Sequence, residues 1–210
     1  MNEIDREAIL QNLVDCFQYL RDVFIAELRG ESIPSEIIES LNLLQAGVVK
    51  LGGEIVLPIQ QKYVQSGDHA LIEILNEIND PDSLDFYIET YKQTDFMAGM
   101  SCLIGIRRLK LLKGYQFVNS VLLDDLNGFK SGLPRNTTEV MTICNILGDW
   151  GDHQALETLK AATKIHADPH MPRVAIETLV KFPEAHAFLQ ELAEKDQSLH
   201  SMIYEALREK

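Results

Sequence analysis

The chain of 210 residues is 46% hydrophobic and 24% charged, which supports a sizeable core without disulfides or metals. Its net charge of −13 disfavours tight binding to nucleic acid or to an anionic membrane face, since both require local positive charge. Three cysteines, Cys16, Cys102 and Cys144, show no C-x-x-C spacing and read as reduced, buried thiols of a cytosolic protein.

In chain order, the acidic start "MNEIDREAIL" lacks the basic region and apolar run of a secretory signal. No apolar run approaches the roughly 18 residues that span a bilayer. A cytoplasmic location and no membrane partner are therefore expected. From Glu3 to Leu28, Leu10, Leu13, Val14, Phe17, Leu20, Phe24 and Leu28 recur at helical spacing, which predicts one long amphipathic helix. Gly30 stops it, and Pro34 suits the first turn of the next. "GEIVLPIQQKYV" is the one strand-like candidate, and Pro58 argues against a central strand there. The later segments are short helices broken by Gly, Pro, Asn or Asp. "NGFKSGLPRN", Asn127 to Asn136, reads as the longest loop.

These helices repeat. Asp168, Met171, Ala175 and Leu179 set a frame that recurs at Asp196, Leu199, Ile203 and Leu207. It recurs at Asp68, Leu71, Leu75 and Asn79, and at Asp95, Ala98, Cys102 and Ile106. A weaker copy is Asn136, Glu139, Ile143 and Leu147. A short polar residue caps each helix, and the apolar positions form one stripe facing a neighbour. The anchors Leu75, Cys102, Ile143, Ala175 and Ile203 are separated by intervals that each hold one further helix, over about 82–92, 115–127, 152–163 and 183–194. The unit is a helix hairpin, and it must stack on its neighbours to bury its apolar face.

The stretch "LGDWGDHQALETLKAATKIHADPHMPRVAIETL", Leu147 to Leu179, resembles a HEAT repeat of the phycobilisome-lyase type. Leu147, Gly148, Asp149, Ala155, Leu159, Asp168, Pro169, Met171, Ala175 and Leu179 carry the likeness. Pro172 stands where that repeat usually has Arg. The strong match covers about 35 residues, and weaker copies extend it from about Gly52 onwards. The resemblance implies an all-α, right-handed α-solenoid of antiparallel helix hairpins. Residues 1–50 would form an N-terminal helical cap or degenerate repeat, continuous with an array over 51–210 as a single domain. Such repeats occur in bilin lyases, scaffolds and regulators, and HEAT-like arrays also serve DNA alkylation-repair glycosylases. The fold class is therefore specified far more sharply than the function.

His166, Asp168 and His170 alternate as H-x-D-x-H, but Asp168 is already placed as a helix cap with Pro169 after it. Two histidines four apart in a turn need not converge as metal ligands require, so no metal is expected. Asp149, Asp152 and His153 read as an inter-repeat loop, with Asp152 capping the next helix. Trp150 is the sole tryptophan; packing under the loop is its favoured reading, and exposure, with His153, as a possible loop anchor for a partner is the alternative. The carboxylate pairs Asp124 with Asp125 and Glu36 with Glu39 are what chance produces among 32 acidic residues. The basic run "RRLKLLK", Arg107 to Lys113, reads as a solvated helix end. G-x-S-x-G, H-E-x-x-H, G-x-G-x-x-G and a phosphate loop are all absent from the sequence, so no catalytic residue and no cofactor are expected.

In a HEAT-like array the second helices line the concave face. At 100° per residue, positions two before, two after and five after each anchor lie opposite the core stripe. The first row is Glu73, Met100, Met141, Arg173 and Ser201. The second is Glu77, Ile104, Asn145, Glu177 and Glu205. The third is Asp80, Arg107, Gly148, Val180 and Arg208. Exposed-type Met and Ile at the centre of a mixed surface suit a binding groove. The expected function is a non-enzymatic protein-interaction module, a scaffold or regulator, binding a partner protein or a second copy of itself. The alternatives are a bilin lyase-like or tetrapyrrole-handling protein, with Arg173 and Arg107 for the propionates, and a HEAT-like DNA glycosylase. The mixed to acidic rows disfavour the glycosylase, and no nucleic-acid partner is expected.

Overall fold

A computed structural model describes residues 51–208 except Asp95, 131–136 and 166–169, together with helical positions 8, 11, 12, 35, 39, 43, 46, 47 and 50. The amphipathic run Glu3–Leu28 is largely outside the described residues. Cys16, Gly30, Pro34, Asp95, Asn136, His166, Asp168 and Pro169 are outside them entirely. Every element among the described residues is helical. The chain divides into two compact units, Met1–Leu109 and Lys110–Lys210.

In the first unit a short 3₁₀ turn, Gly52–Ile55, leads into α1, Val56–Ser66. The strand-like "GEIVLPIQQKYV" is thus helical, and Pro58 sits in the first turn of α1, where its missing N–H costs no hydrogen bond. Gly67 ends α1 at φ +67, its N–H bonded to the Tyr63 carbonyl. The Asp68 carboxylate then accepts from the Ala70 N–H at 3.1 Å and starts α2, Ala70–Ile78. Asn79 closes α2 in the left-handed region. A 3₁₀ turn, Pro81–Ser83, opens on Asp80, whose carboxylate accepts from the Asp82 N–H at 2.9 Å. Next come α3, Leu84–Gln93, and α4, Phe96–Leu109. Helix α2 packs on α1 and on α4, and α3 packs on α4.

The second unit holds α5, Leu112–Lys130; α6, Thr137–Trp150; α7, His153–Ala162; and α8, His170–Leu179. After the 3₁₀ turn Pro183–Ala185 come α9, His186–Lys195, and α10, His200–Arg208. Each helix from α6 on packs on its predecessor in the described chain. In addition α5 meets α7, α6 meets α8, and α8 meets α10. Helix α5 runs on to Lys130, so "NGFK" is helical and the expected loop begins later. Its apolar positions Leu122 and Leu126 are buried, and their packing continues the helix past Asn127 and Gly128. The expected loop at Asp149 to His153 shrinks to Gly151 and Asp152. Asp149 and Trp150 end α6, and His153 begins α7. Gly151 takes φ +72 to donate to the Leu147 carbonyl, and the Asp152 carboxylate accepts from the Gln154 N–H at 2.7 Å.

The five anchors, Leu75, Cys102, Ile143, Ala175 and Ile203, are all fully buried. Leu71, Ala98, Met171 and Leu199, four positions earlier, are buried as well. The repeat frame therefore locates the middle of the core stripe of α2, α4, α6, α8 and α10, while its outer positions miss the core at Asn79, which is exposed, and at Glu139 and Leu207, which are half-buried.

Candidate functional site

Ten of the fifteen positions placed opposite the stripe are exposed: Glu73, Arg173, Ser201, Glu77, Ile104, Asn145, Glu177, Glu205, Arg107 and Arg208. Met100, Met141 and Asp80 are half-buried, and Asp80 serves as the cap described above. Gly148 and Val180 are buried, so the third row breaks in the second unit. The reason is steric. A Cβ on Gly148 would collide with Thr178 Cγ2, so α6 and α8 approach too closely there for that position to face outward.

A concavity on these positions lies in the second unit, between α8 and α10. Arg173 and Glu177 of α8 and Ser201, Met202, Glu205 and Ala206 of α10 line a groove of about 340 Å³. Arg173 Nε donates to Glu177 Oε1 at 2.7 Å along one face of α8. Both side chains are more than half exposed, so the pair is a solvated, rearrangeable charge pair. Met202 and Ala206 bring apolar surface between these charges. The sequence rows contain four of the six lining residues but omit Met202 and Ala206. Ala206 stands three after its anchor, at a core position of the frame, and Met202 immediately precedes that anchor, so neither falls on the outward rows.

In the first unit the outward face of α4 is apolar. Ile104 is 45% exposed and Met97 59% exposed, with Phe96 also exposed and Met100 half-buried beside them. At 100° per residue, Phe96, Met97, Met100, Ile104 and Arg107 fall on one side of the helix. Arg108 closes that end through a 2.5 Å ion pair with Glu77 of α2. Phe96 and Met97 were missing from the sequence rows because both precede the first anchor-based position on α4.

Trp150 lies parallel to the buried Tyr115 of α5, ring centroids 4.3 Å apart, so one face of the indole is used in packing its own unit. His153 is exposed at the start of α7. Among the described residues, no group of three His, Cys, Asp or Glu side chains is placed to hold a metal ion. Burial pushes the Cys102 and Cys144 thiols up to about 12, and for Cys144 the nearby Asp125 carboxylate adds to the effect. Both are protonated thiols at neutral pH and poor nucleophiles. No described helix is long and apolar enough to cross a membrane.

The class these observations define is a protein that is all-helical over its described residues, with outward faces of mixed character on α4, α8 and α10. Comparison with known proteins finds no matching family model, no matching curated protein and no matching solved structure.

Proposed function

We propose that this chain is a non-enzymatic protein-interaction module, a scaffold or regulator built from HEAT-like antiparallel hairpins of a right-handed α-solenoid. One observation carries the reading. Arg173, Glu177, Ser201 and Glu205, placed on the outward rows by the repeat frame, line the groove between α8 and α10. Mixed charges around Met202 and Ala206 suit the side chains of a partner protein, where apolar contact supplies affinity and the charges supply specificity. The exposed Met97 and Ile104, with the half-buried Met100 between them on α4, add an adaptable apolar surface in the first unit.

The test is co-purification from the native host with three baits: wild type, an Arg173→Asp/Met202→Asp variant, and an Ile104→Asp variant. Circular dichroism verifies that each bait is folded. Loss of a wild-type partner from the first variant places binding at the groove, and loss from the second places it on α4. Equal capture by all three baits would sink the proposal for both surfaces. Sedimentation of wild type and variants reads whether the partner is a second copy of the chain.

A further inference from the structure

Helix α1, "VLPIQQKYVQS", carries apolar residues on two sides. Val56 and Ile59 are buried in the first unit, and Tyr63 on the same side is half-buried. By helical phase, Leu57, Gln61 and Val64 fall on a different side. There Leu57 is 60% exposed and Val64 is 78% exposed. A helix that packed on one side only would keep polar residues on the other.

This second side forms one wall of an open groove of about 620 Å³, lined by Gln60, Gln61, Val64 and Gln65 of α1 and by Phe86 of α3. The half-buried Phe86 ring is held edge-on by Tyr63, with centroids 5.5 Å apart and planes at 89°. None of these five residues is charged, although the chain carries −13. Lys62, the one charged residue of α1, is turned about 140° from Leu57, and its Nζ donates to Gln11 Oε1 at 3.2 Å. Gln60 Nε2 has no hydrogen-bond acceptor among the described residues, so that group can turn into the groove without breaking a bond.

We propose that this face of α1, with Phe86, is a contact between two copies of the chain related by a two-fold axis. In such a contact a residue near the axis meets its own equivalent. A carboxylate or ammonium there would face a like charge. An amide instead offers both a donor and an acceptor to its equivalent, and apolar side chains pack on theirs. Gln60, Gln61 and Gln65 with Leu57 and Val64 meet that condition. Two copies at −13 repel one another over most of their surface, and an uncharged face is where they can approach. The 11-residue helix is about 16 Å long and about 10 Å across, so the contact is far below the roughly 800 Å² per copy of a stable interface. The dimer is therefore reversible and depends on concentration. The contact shares no residue with the groove between α8 and α10 or with the α4 face, so the two proposals fail separately.

The test is sedimentation equilibrium of the full chain up to about 1 mM, where weak contacts populate, at low and high salt. Wild type is compared with Val64→Glu, with the isosteric Gln61→Glu, and with Gln197→Glu, a charge-matched control on an exposed residue of the second unit. Circular dichroism checks the fold of each. Expected are a wild-type dimer that grows with concentration, its loss in Val64→Glu and Gln61→Glu, and its retention in Gln197→Glu. The wild-type dimer should also strengthen at high salt, where repulsion between acidic copies is screened. A wild-type monomer at the highest concentration overturns the contact. So does a dimer that persists in Val64→Glu and Gln61→Glu, that is lost equally in Gln197→Glu, or that weakens with salt. A monomeric wild type whose Tm falls in Val64→Glu would overturn it in favour of the chain's own N-terminal segment as the occupant of this face.

Discussion

Gly148 of α6 lies against Thr178 of α8 so closely that a single added methyl would strike Thr178 Cγ2. Thr178 is β-branched and buried, so it has little freedom to turn aside. Gly148→Ala should therefore lower stability. Overpacking costs about 1–3 kcal/mol, and the better helix propensity of alanine returns up to about 1 kcal/mol. Thermal melts should show a lower Tm for Gly148→Ala and recovery in the Gly148→Ala/Thr178→Ala double variant. Additive effects would mean that the two helices do not meet at this pair.

Ile143 and Asn145 sit two residues apart on α6, one fully buried and one exposed. Ile143→Ala should cost about 2–5 kcal/mol, the range for deleting a buried aliphatic side chain. Asn145→Ala should stay within about 0.5 kcal/mol of wild type. Denaturant unfolding of both variants checks the direction of the core stripe. Similar losses from both would invalidate it.

Asp152 caps α7 through its 2.7 Å contact with the Gln154 N–H. Asp152→Ala should cost about 0.5–2 kcal/mol, and Asp152→Asn should retain most of the cap. A chemical-denaturation midpoint that is unmoved in Asp152→Ala would show that water replaces the carboxylate without loss.

Cys102 and Cys144 should resist thiol reagents in the folded chain at pH 8 and react on unfolding, as read by mass spectrometry of labelled peptides. Their thiols are pushed from 9.0 up to about 12, so they remain protonated. The same shift links stability to pH. Above pH 9 the unfolded thiols ionise while the folded ones do not, so rising pH favours the unfolded chain. This contribution is intact below about pH 9 and is lost as pH climbs towards about 12. Fast native labelling of either cysteine would contradict the burial.

The sequence by itself determined the helical class, the middle of the core stripe and much of the capping. These are local or periodic properties: apolar residues at three and four select a helix face, and an aspartate at a helix start binds a nearby N–H. That is why Leu75, Cys102, Ile143, Ala175 and Ile203 could be located in advance, and why Asp68 and Asp152 cap as their positions suggest. Only the tertiary structure decided which outward positions remain outward. Gly148 and Val180 have the right phase to be exposed, but the close approach of α6 and α8 buries Gly148, and packing buries Val180. The groove beside Arg173 and Glu177 also depends on Met202 and Ala206 from a different helix. Periodicity fixes where a side chain points around its own axis, whereas the distance to the next helix is set by side-chain volumes that meet only after packing.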